Sequence, residues 1–408
     1  MRESSVRFST RTVSMSAAAL TARPAVLDLR PSRIREVANA AMGRVDVLPF
    51  WFGEPDEVTP DFVRQAAIDS LNAGETFYSQ NLGLPELRAA IATYLTRLHG
   101  PTSAEQIAVT SSGLSALQLA TQALVGPGDR VVEVTPLWPN LVEIPKILGA
   151  HVECVALQWR AGGWQLDLDR LLGALTPDTQ VLFLNSPNNP TGWTISRAEQ
   201  RTLLDHCRRH GIWLIADDAY ERLYYDDAAT VAPSFLEIAT AEDRLVSTNT
   251  FSKTWLMTGW RLGWLRAPQA LIADMPKLIE YNTSCAPVFV QRAGIVAIER
   301  GDPVIERTRA RFRRARDFLV ERLRGIPGLE VAVPPGAMYV FFKVAGLHDS
   351  LALCKHLVGS TGLGLAPGVA FGPEGEGFVR WCFAASEERL AEGVERLRNG
   401  LATFPRHA

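Results

Sequence analysis

The chain has no cysteine pair, no apolar run long enough to span a bilayer and no excess of charge of either sign. Its five cysteines (Cys154, Cys207, Cys285, Cys354 and Cys382) are scattered without a CxxC. They read as reduced, mostly buried thiols, which points to a reducing compartment and a cytoplasmic location. Without a long apolar run, no membrane helix is expected. A formal net charge of −2 over 408 residues offers neither nucleic acid nor an anionic lipid surface an electrostatic hold. Metal-ligand spacing is also scarce. His206, Cys207 and His210 have it, but they sit beside Arg208 and Arg209 on a polar helix end and read as surface, so no metal site is expected. No cysteine has the basic neighbours that would mark a nucleophile.

What the chain does have is length and alternation. At 408 residues it can build two cores. Residues 1–25, rich in Ser, Thr, Arg and Ala with Glu3 as the only acid, read as a disordered leader. A transit peptide or an upstream start codon ahead of Met15 are the alternatives. Thr59 is the expected N-cap of a helix, with Pro60 at its first position. From Gln106 onward, short apolar runs alternate with helical patterns. Strands are expected near 106–110, 130–134, 151–157, 180–184, 212–216, 245–248 and 262–265. Such alternation predicts an α/β fold with a largely parallel sheet covered on both faces. Ligands bind at the carboxyl ends of strands in such sheets, where Ser112, Asn189, Asp217 and Lys253 fall. The helix near 303–323 carries Arg307, Arg309, Arg311, Arg313 and Arg314 between apolar residues, which reads as a solvated face. Strands near 330–333, 338–344 and 378–383 with a terminal helix give an α+β C-terminal third. No internal repeat is found.

Four stretches can carry chemistry. Ser111-Ser112-Gly113-Leu114 turns from a strand into a helix, where free backbone N–H groups and the helix dipole favour an anion such as phosphate. Any Ser-Gly turn that caps a helix looks the same. Asn185-Ser186-Pro187-Asn188-Asn189-Pro190-Thr191-Gly192 is a rigid turn that can aim the Asn189 amide at a ligand oxygen. Asp217, in Ala216-Asp217-Asp218-Ala219-Tyr220, is a carboxylate just past a buried strand, costly unless it meets a cation. A helix cap or metal ligand is the ordinary alternative. Thr250-Phe251-Ser252-Lys253-Thr254, followed by Gly259-Trp260-Arg261-Leu262-Gly263, sets a lone lysine among hydroxyls with an arginine beyond. A lysine desolvated there loses its proton near neutral pH and becomes a nucleophile, suited to an aldehyde carrying a phosphate. Trp138, after the next strand, can stack on a planar ring or fill the core.

In order and spacing these stretches, with Gly83-Leu84-Pro85-Glu86-Leu87-Arg88, resemble the fold-type I pyridoxal-phosphate enzymes, the class I/II aminotransferases in particular. The resemblance runs from about Leu27 to Leu401. It implies a large domain, 61–299, around a mostly parallel seven-stranded sheet, and a smaller α+β domain from 26–60 and 300–408. It implies pyridoxal 5'-phosphate held by Lys253 as a Schiff base. Asp217 would face the ring nitrogen, Asn189 and Tyr220 the ring oxygen, and Trp138 the ring face. Ser112, Gly113, Leu114, Thr250, Ser252 and Arg261 would hold the phosphate, with Tyr78 reaching it from the neighbouring subunit of a homodimer. Gly53, Asn189 and Arg380 would meet the substrate carboxylate. Without the resemblance, Arg380 reads as a strand-edge arginine. Lys253, Asp217 and Tyr220 would be catalytic in moving an amino group to a 2-oxo acid through a pyridoxamine phosphate form. Elimination, decarboxylation or cyclisation on the same cofactor is the alternative enzyme, and a sensing domain of a transcription regulator the alternative outside catalysis. Trp51, Phe52, Tyr281, Phe289 and Met338 are the candidates for the substrate side chain, and no second arginine for a distal carboxylate stands out. Together these point to a neutral or aromatic amino acid.

Overall fold

In a computed structural model, residues 21–160 and 162–405 are described. The leader expected over residues 1–25 lies mostly outside them. Within it, Pro24–Leu27 forms a helical turn, and Arg23 donates a hydrogen bond to the Ile147 carbonyl at 2.8 Å.

The alternation becomes a seven-stranded sheet. Its strands in chain order are β1 (Ile107–Thr110), β2 (Arg130–Thr135), β3 (His151–Ala156), β4 (Thr179–Asn185), β5 (Trp213–Asp217), β6 (Leu245–Thr250) and β7 (Gly263–Arg266). Across the sheet the order is β1-β7-β6-β5-β4-β2-β3. β7 runs antiparallel to both neighbours, and every other pairing is parallel. Both faces are covered, as the apolar runs require. Val131, Phe183, Ile215 and Val246 enter one core and Val132, Leu182, Leu214 and Leu245 the other, so neighbouring residues of one strand serve opposite layers.

A third core joins the two ends of the chain. Helix α1 (Arg33–Ala40) gives it Ile34 and Val37, and the segment after it gives Leu48, Phe50 and Trp51. These pack with Phe312, Leu319, Phe342, Leu353, Trp381 and Leu397 from the C-terminal third. There a four-stranded antiparallel sheet includes β8 (Tyr339–Val344) and β9 (Phe378–Cys382), paired so that Phe341 lies opposite Arg380.

Several local expectations change. Thr59 does not cap the helix Asp61–Asn72, for which Pro60 is the N-cap. Its hydroxyl instead donates to the Leu256 carbonyl (2.6 Å) and accepts from the Trp260 indole (2.9 Å). The strand expected at 330–333 shortens to Leu329–Glu330. A hairpin, Gln158–Arg160 with Gly163–Gln165, was not anticipated. Its Trp159 and Trp164 pack edge-on at 5.5 Å, and Trp164 stacks on Phe341. The long helix Asp302–Arg324 is not simply solvated. Arg309 donates to the carbonyls of Tyr224 (2.6 Å) and Ala229 (2.8 Å), and Arg311 pairs with Asp56 and Glu57. Cys207 is buried, not on the surface. Among the described residues no helix is long and apolar enough to cross a membrane.

Candidate active site

The ends of β1, β2, β4, β5 and β6 open into a cavity of about 490 Å³. At the end of β5, Asp217 is directly opposite Asn185 of β4. The Asn185 amide donates to the Asp217 carboxylate and to its carbonyl, both at 3.1 Å. The Ala219 N–H donates to the other carboxylate oxygen at 3.3 Å. Asp217 is buried, and that burial raises its pKa to about 6, with the Ala219 N–H and the charge of Lys253 opposing part of the rise. No cation bonds it among the described residues. Asn185 also accepts from the Asn189 N–H at 2.8 Å, so one amide ties the rigid Asn-Pro turn to the acid.

Lys253 lies on α2 (Phe251–Thr254), a single turn at the end of β6. Thr250 caps that turn, accepting from the Ser252 N–H at 3.1 Å. The Lys253 Nζ donates to the Gly53 carbonyl at 2.6 Å. Burial lowers its pKa to about 8; Arg380 and Arg261 add to the fall, while Cys382 and Glu54 oppose it. Beside it the turn at Ser112–Gly113 packs against Thr250. A Cβ on Gly113 would sit 2.8 Å from that of Thr250, and one on Gly263 would overlap the Gly113 backbone. Ser112 itself turns away to cap the following helix, accepting from the Ser115 N–H at 2.9 Å. The Arg261 guanidinium closes this end, 2.8 Å from the Thr258 carbonyl, on a residue held in the left-handed region (φ 55°).

This arrangement brings one buried acid, one deprotonatable lysine and a helix N-terminus to a single cavity. The sequence profile described as aminotransferase class I and II matches residues 45–397. The chain belongs to the class I and II aminotransferases. Over 380 residues it is 33% identical to an aspartate aminotransferase of Pyrococcus horikoshii, covering 92% of this chain and 96% of that protein. It is 34% identical to an arginine–pyruvate transaminase of Pseudomonas aeruginosa, over 89% of this chain and 92% of that one. A crystal structure of an aspartate aminotransferase from Thermotoga maritima superposes with a TM-score of 0.87 at 32% identity, covering 94% of this chain and all of that one. These relatives differ in substrate at nearly equal identity. Enzymes of the family work with pyridoxal phosphate and exchange amino and oxo acids.

Of the residues read from the aminotransferase sequence, Gly53, Gly113, Leu114, Trp138 and Asn189 line the cavity, as do Asp217, Tyr220, Thr250, Ser252, Lys253, Arg261 and Arg380. Tyr78 does not; it is 90% exposed and points outward beside the equally bare Phe77. Arg380 is buried and far from a strand edge. Its Nη1 donates to the Asn189 side-chain oxygen at 2.8 Å and its Nη2 to the Trp51 carbonyl. Most of the side-chain candidates fall elsewhere. Trp51 and Met338 are in the core, Tyr281 is exposed, and Phe289 lines a second cavity that shares Glu54, Thr258 and Arg261 with the first. Only Phe52 lines the site, with Ile34, Leu117 and Tyr339, which sequence patterns had not singled out. Arg35 also lines the cavity, its guanidinium 5.0 Å from the Phe52 ring centroid.

Proposed function

We propose that this aminotransferase holds pyridoxal 5'-phosphate in the cavity and moves the amino group of a neutral or aromatic L-amino acid to a 2-oxo acid. The observation that carries the reading is Asp217. A fully buried carboxylate, raised to about 6 and bonded only by neutral N–H groups, fits a ring nitrogen that shares its proton. Gly113, with no room for a side chain, fits a cradle where backbone meets phosphate.

The residues would divide the work as follows. The N–H groups at Gly113 and Leu114, the hydroxyls of Thr250 and Ser252, and Arg261 take the phosphate. Trp138 covers a ring face, and Asn189 and Tyr220 meet the ring oxygen. Lys253 is the covalent attachment. When bound, the cofactor supplies an aldehyde for the amine and an electron sink for the substrate carbon. Arg380 clamps the substrate carboxylate beside Asn189 and Gly53. Lys253, once free, carries the proton to and from the substrate Cα. Its low pKa keeps a sizeable fraction of the amine unprotonated above pH 7. Ile34, Phe52, Leu114 and Leu117 support an apolar substrate side chain, and Arg35 beside Phe52 supplies a cation for an oxo acid with a second carboxylate.

Three further readings belong to this proposal. The bare Phe77 and Tyr78 support a homodimer in which Tyr78 of the partner subunit completes the phosphate site. The core shared by the chain ends supports the division into 61–299 and 26–60 with 300–408. Five cysteines outside any disulfide support the cytoplasm.

Absorbance tests the function. Purified protein given pyridoxal phosphate should develop a visible band, and single neutral or aromatic amino acids should bleach it without any oxo acid present. A band that persists while ammonia or carbon dioxide is released would overturn transamination. A protein that never takes up the cofactor would overturn the site.

A further inference from the structure

Tyr339 opens β8, is almost wholly buried, and lines the cavity. It touches both halves of the site. Its Oη lies 2.8 Å from the Tyr220 Oη, with the rings edge to face at 5.8 Å. The Arg380 guanidinium lies over the same ring, 4.4 Å from its centroid, and 4.8 Å from that of Phe371. Gly53, whose carbonyl holds Lys253, is a glycine beneath this hydroxyl, since a Cβ there would overlap the Tyr339 Oη.

Two phenols at this distance share one hydrogen bond, and only one of them can donate it. Each ring has a cation over it, but Arg380 is 4.4 Å from the Tyr339 centroid and the Lys253 Nζ 6.0 Å from that of Tyr220, so Tyr339 feels the closer charge. A cation over a phenol ring draws electron density from it and makes its O–H the better donor. Burial pushes Tyr339 up to about 12 and Tyr220 well above the ordinary phenol range, and Arg380 opposes the rise in both. Cys382, Asp217 and Tyr220 are the other titratable groups acting on Tyr339.

We infer that Tyr339 is a positioning residue: it donates to Tyr220, turning the Tyr220 proton into the cavity, while its ring serves as the platform that holds Arg380. The first half rests on the proposed function, because the Tyr220 proton then meets the ring oxygen of the cofactor. The second half needs no cofactor, only Arg380 as the group that grips a carboxylate. Tyr339 thereby links the group that grips the substrate carboxylate to the group that meets the cofactor, beside the direct bond from Arg380 to Asn189.

The test uses Tyr339→Phe, Tyr339→Leu, Tyr220→Phe and the double variant Tyr220→Phe/Tyr339→Phe. In protein loaded with pyridoxal phosphate, Tyr339→Phe should move the pH midpoint of the visible band upward by about one unit. Losing the donor leaves more negative charge facing the Lys253 nitrogen, which keeps its proton to higher pH. The same variant should lower kcat about tenfold while leaving KM within about twofold. The double variant should shift no further than Tyr220→Phe alone, because the two hydroxyls act in series. Tyr339→Leu, which removes the ring, should also abolish most of the rise in Tm that 3-phenylpropionate gives the parent protein, and Tyr339→Phe should keep it. An unchanged midpoint and kcat in Tyr339→Phe, or additive shifts in the double variant, would overturn the first half. An undiminished Tm response in Tyr339→Leu would overturn the second. A parent protein that gains no band defeats the proposed function and the first half with it, while the Tm comparison still decides the second.

Discussion

The Lys253 end of the cavity grows from the tips of adjacent strands in one sheet, whereas the Arg380 end is gathered from segments far apart in the chain. At the first end the pairing ladder does the placing. Asn185 is opposite Asp217, Asp217 opposite Thr248, and Gly263 opposite both Thr250 and Thr110. At the second end Phe52 and Gly53 come from the N-terminal segment, Tyr339 and Arg380 from the C-terminal sheet, and the bond from Arg380 to Asn189 spans 191 positions. Backbone ladders set positions to a fraction of a residue, and side-chain packing between distant segments sets the rest. Injury at the first end should therefore appear as lost chemistry, and injury at the second as lost grip.

Lys253→Ala makes the largest break. Without the amine, transamination should fall by about 10⁴-fold or more, with little change in how the amino acid binds. Single-turnover kinetics on the loaded variant would show it. Retention of a tenth of parental kcat would erase the distinction between the two ends. Arg380→Lys should cost about 10²-fold in kcat/KM, nearly all of it in KM, because a point charge replaces a two-pronged guanidinium. Steady-state rates over a series of substrate concentrations decide this, and a loss confined to kcat would break the comparison from the other side. Glu133→Gln probes a buried acid that belongs to neither end. Glu133 is in the middle of β2, fully buried, with both carboxylate oxygens unbonded, and burial raises its pKa to about 8. The folded state thus keeps a proton that the unfolded chain releases above about 4.5. Stability contributed by this group declines as pH rises from 4.5 to 8, and its penalty is complete above 8. Urea midpoints at pH 5.5 and 8 should show the parent losing about 3 kcal/mol more than Glu133→Gln over that interval, with activity unchanged. A parallel loss in both proteins would mean that Glu133 is not the titrating group.

The same division explains what could be read from the chain alone. Strand tips carry their chemistry in contiguous residues, so Asp217, Lys253 and the turn from Asn185 to Gly192 are legible as motifs. Arg380 has no such frame: in Phe378-Val379-Arg380-Trp381 it looks like any arginine on a strand, and only resemblance to a family singled it out. Tyr339 looks like a core aromatic because its ring is one, and nothing local marks its hydroxyl. Trp51 and Met338 misled for the opposite reason. They flank site residues in sequence, but adjacency along the chain does not set the direction of a side chain, and both end in the core. Thr59 was misread because the cap rule considers only the helix that follows, while its hydroxyl serves Leu256 and Trp260, nearly 200 positions away. The antiparallel course of β7 left no trace in its four residues, since periodicity is blind to direction.

Gly113 and Gly263 set different limits on how this chain can drift through evolution. At Gly113 the obstacle to a methyl group is the side chain of Thr250, 2.8 Å away. That atom is the Thr250 Cβ, which serine shares, so only glycine at 250 would clear it, and glycine there would lose the hydroxyl that accepts from the Ser252 N–H. At Gly263 the obstacle is main chain on both sides, from Ser112, Gly113 and Asn249. No exchange of side chains elsewhere makes room for it. Room at 113 has to be traded against the hydroxyl at 250, and at 263 there is nothing to trade, so descendants of this sequence should hold glycine at 263 most strictly.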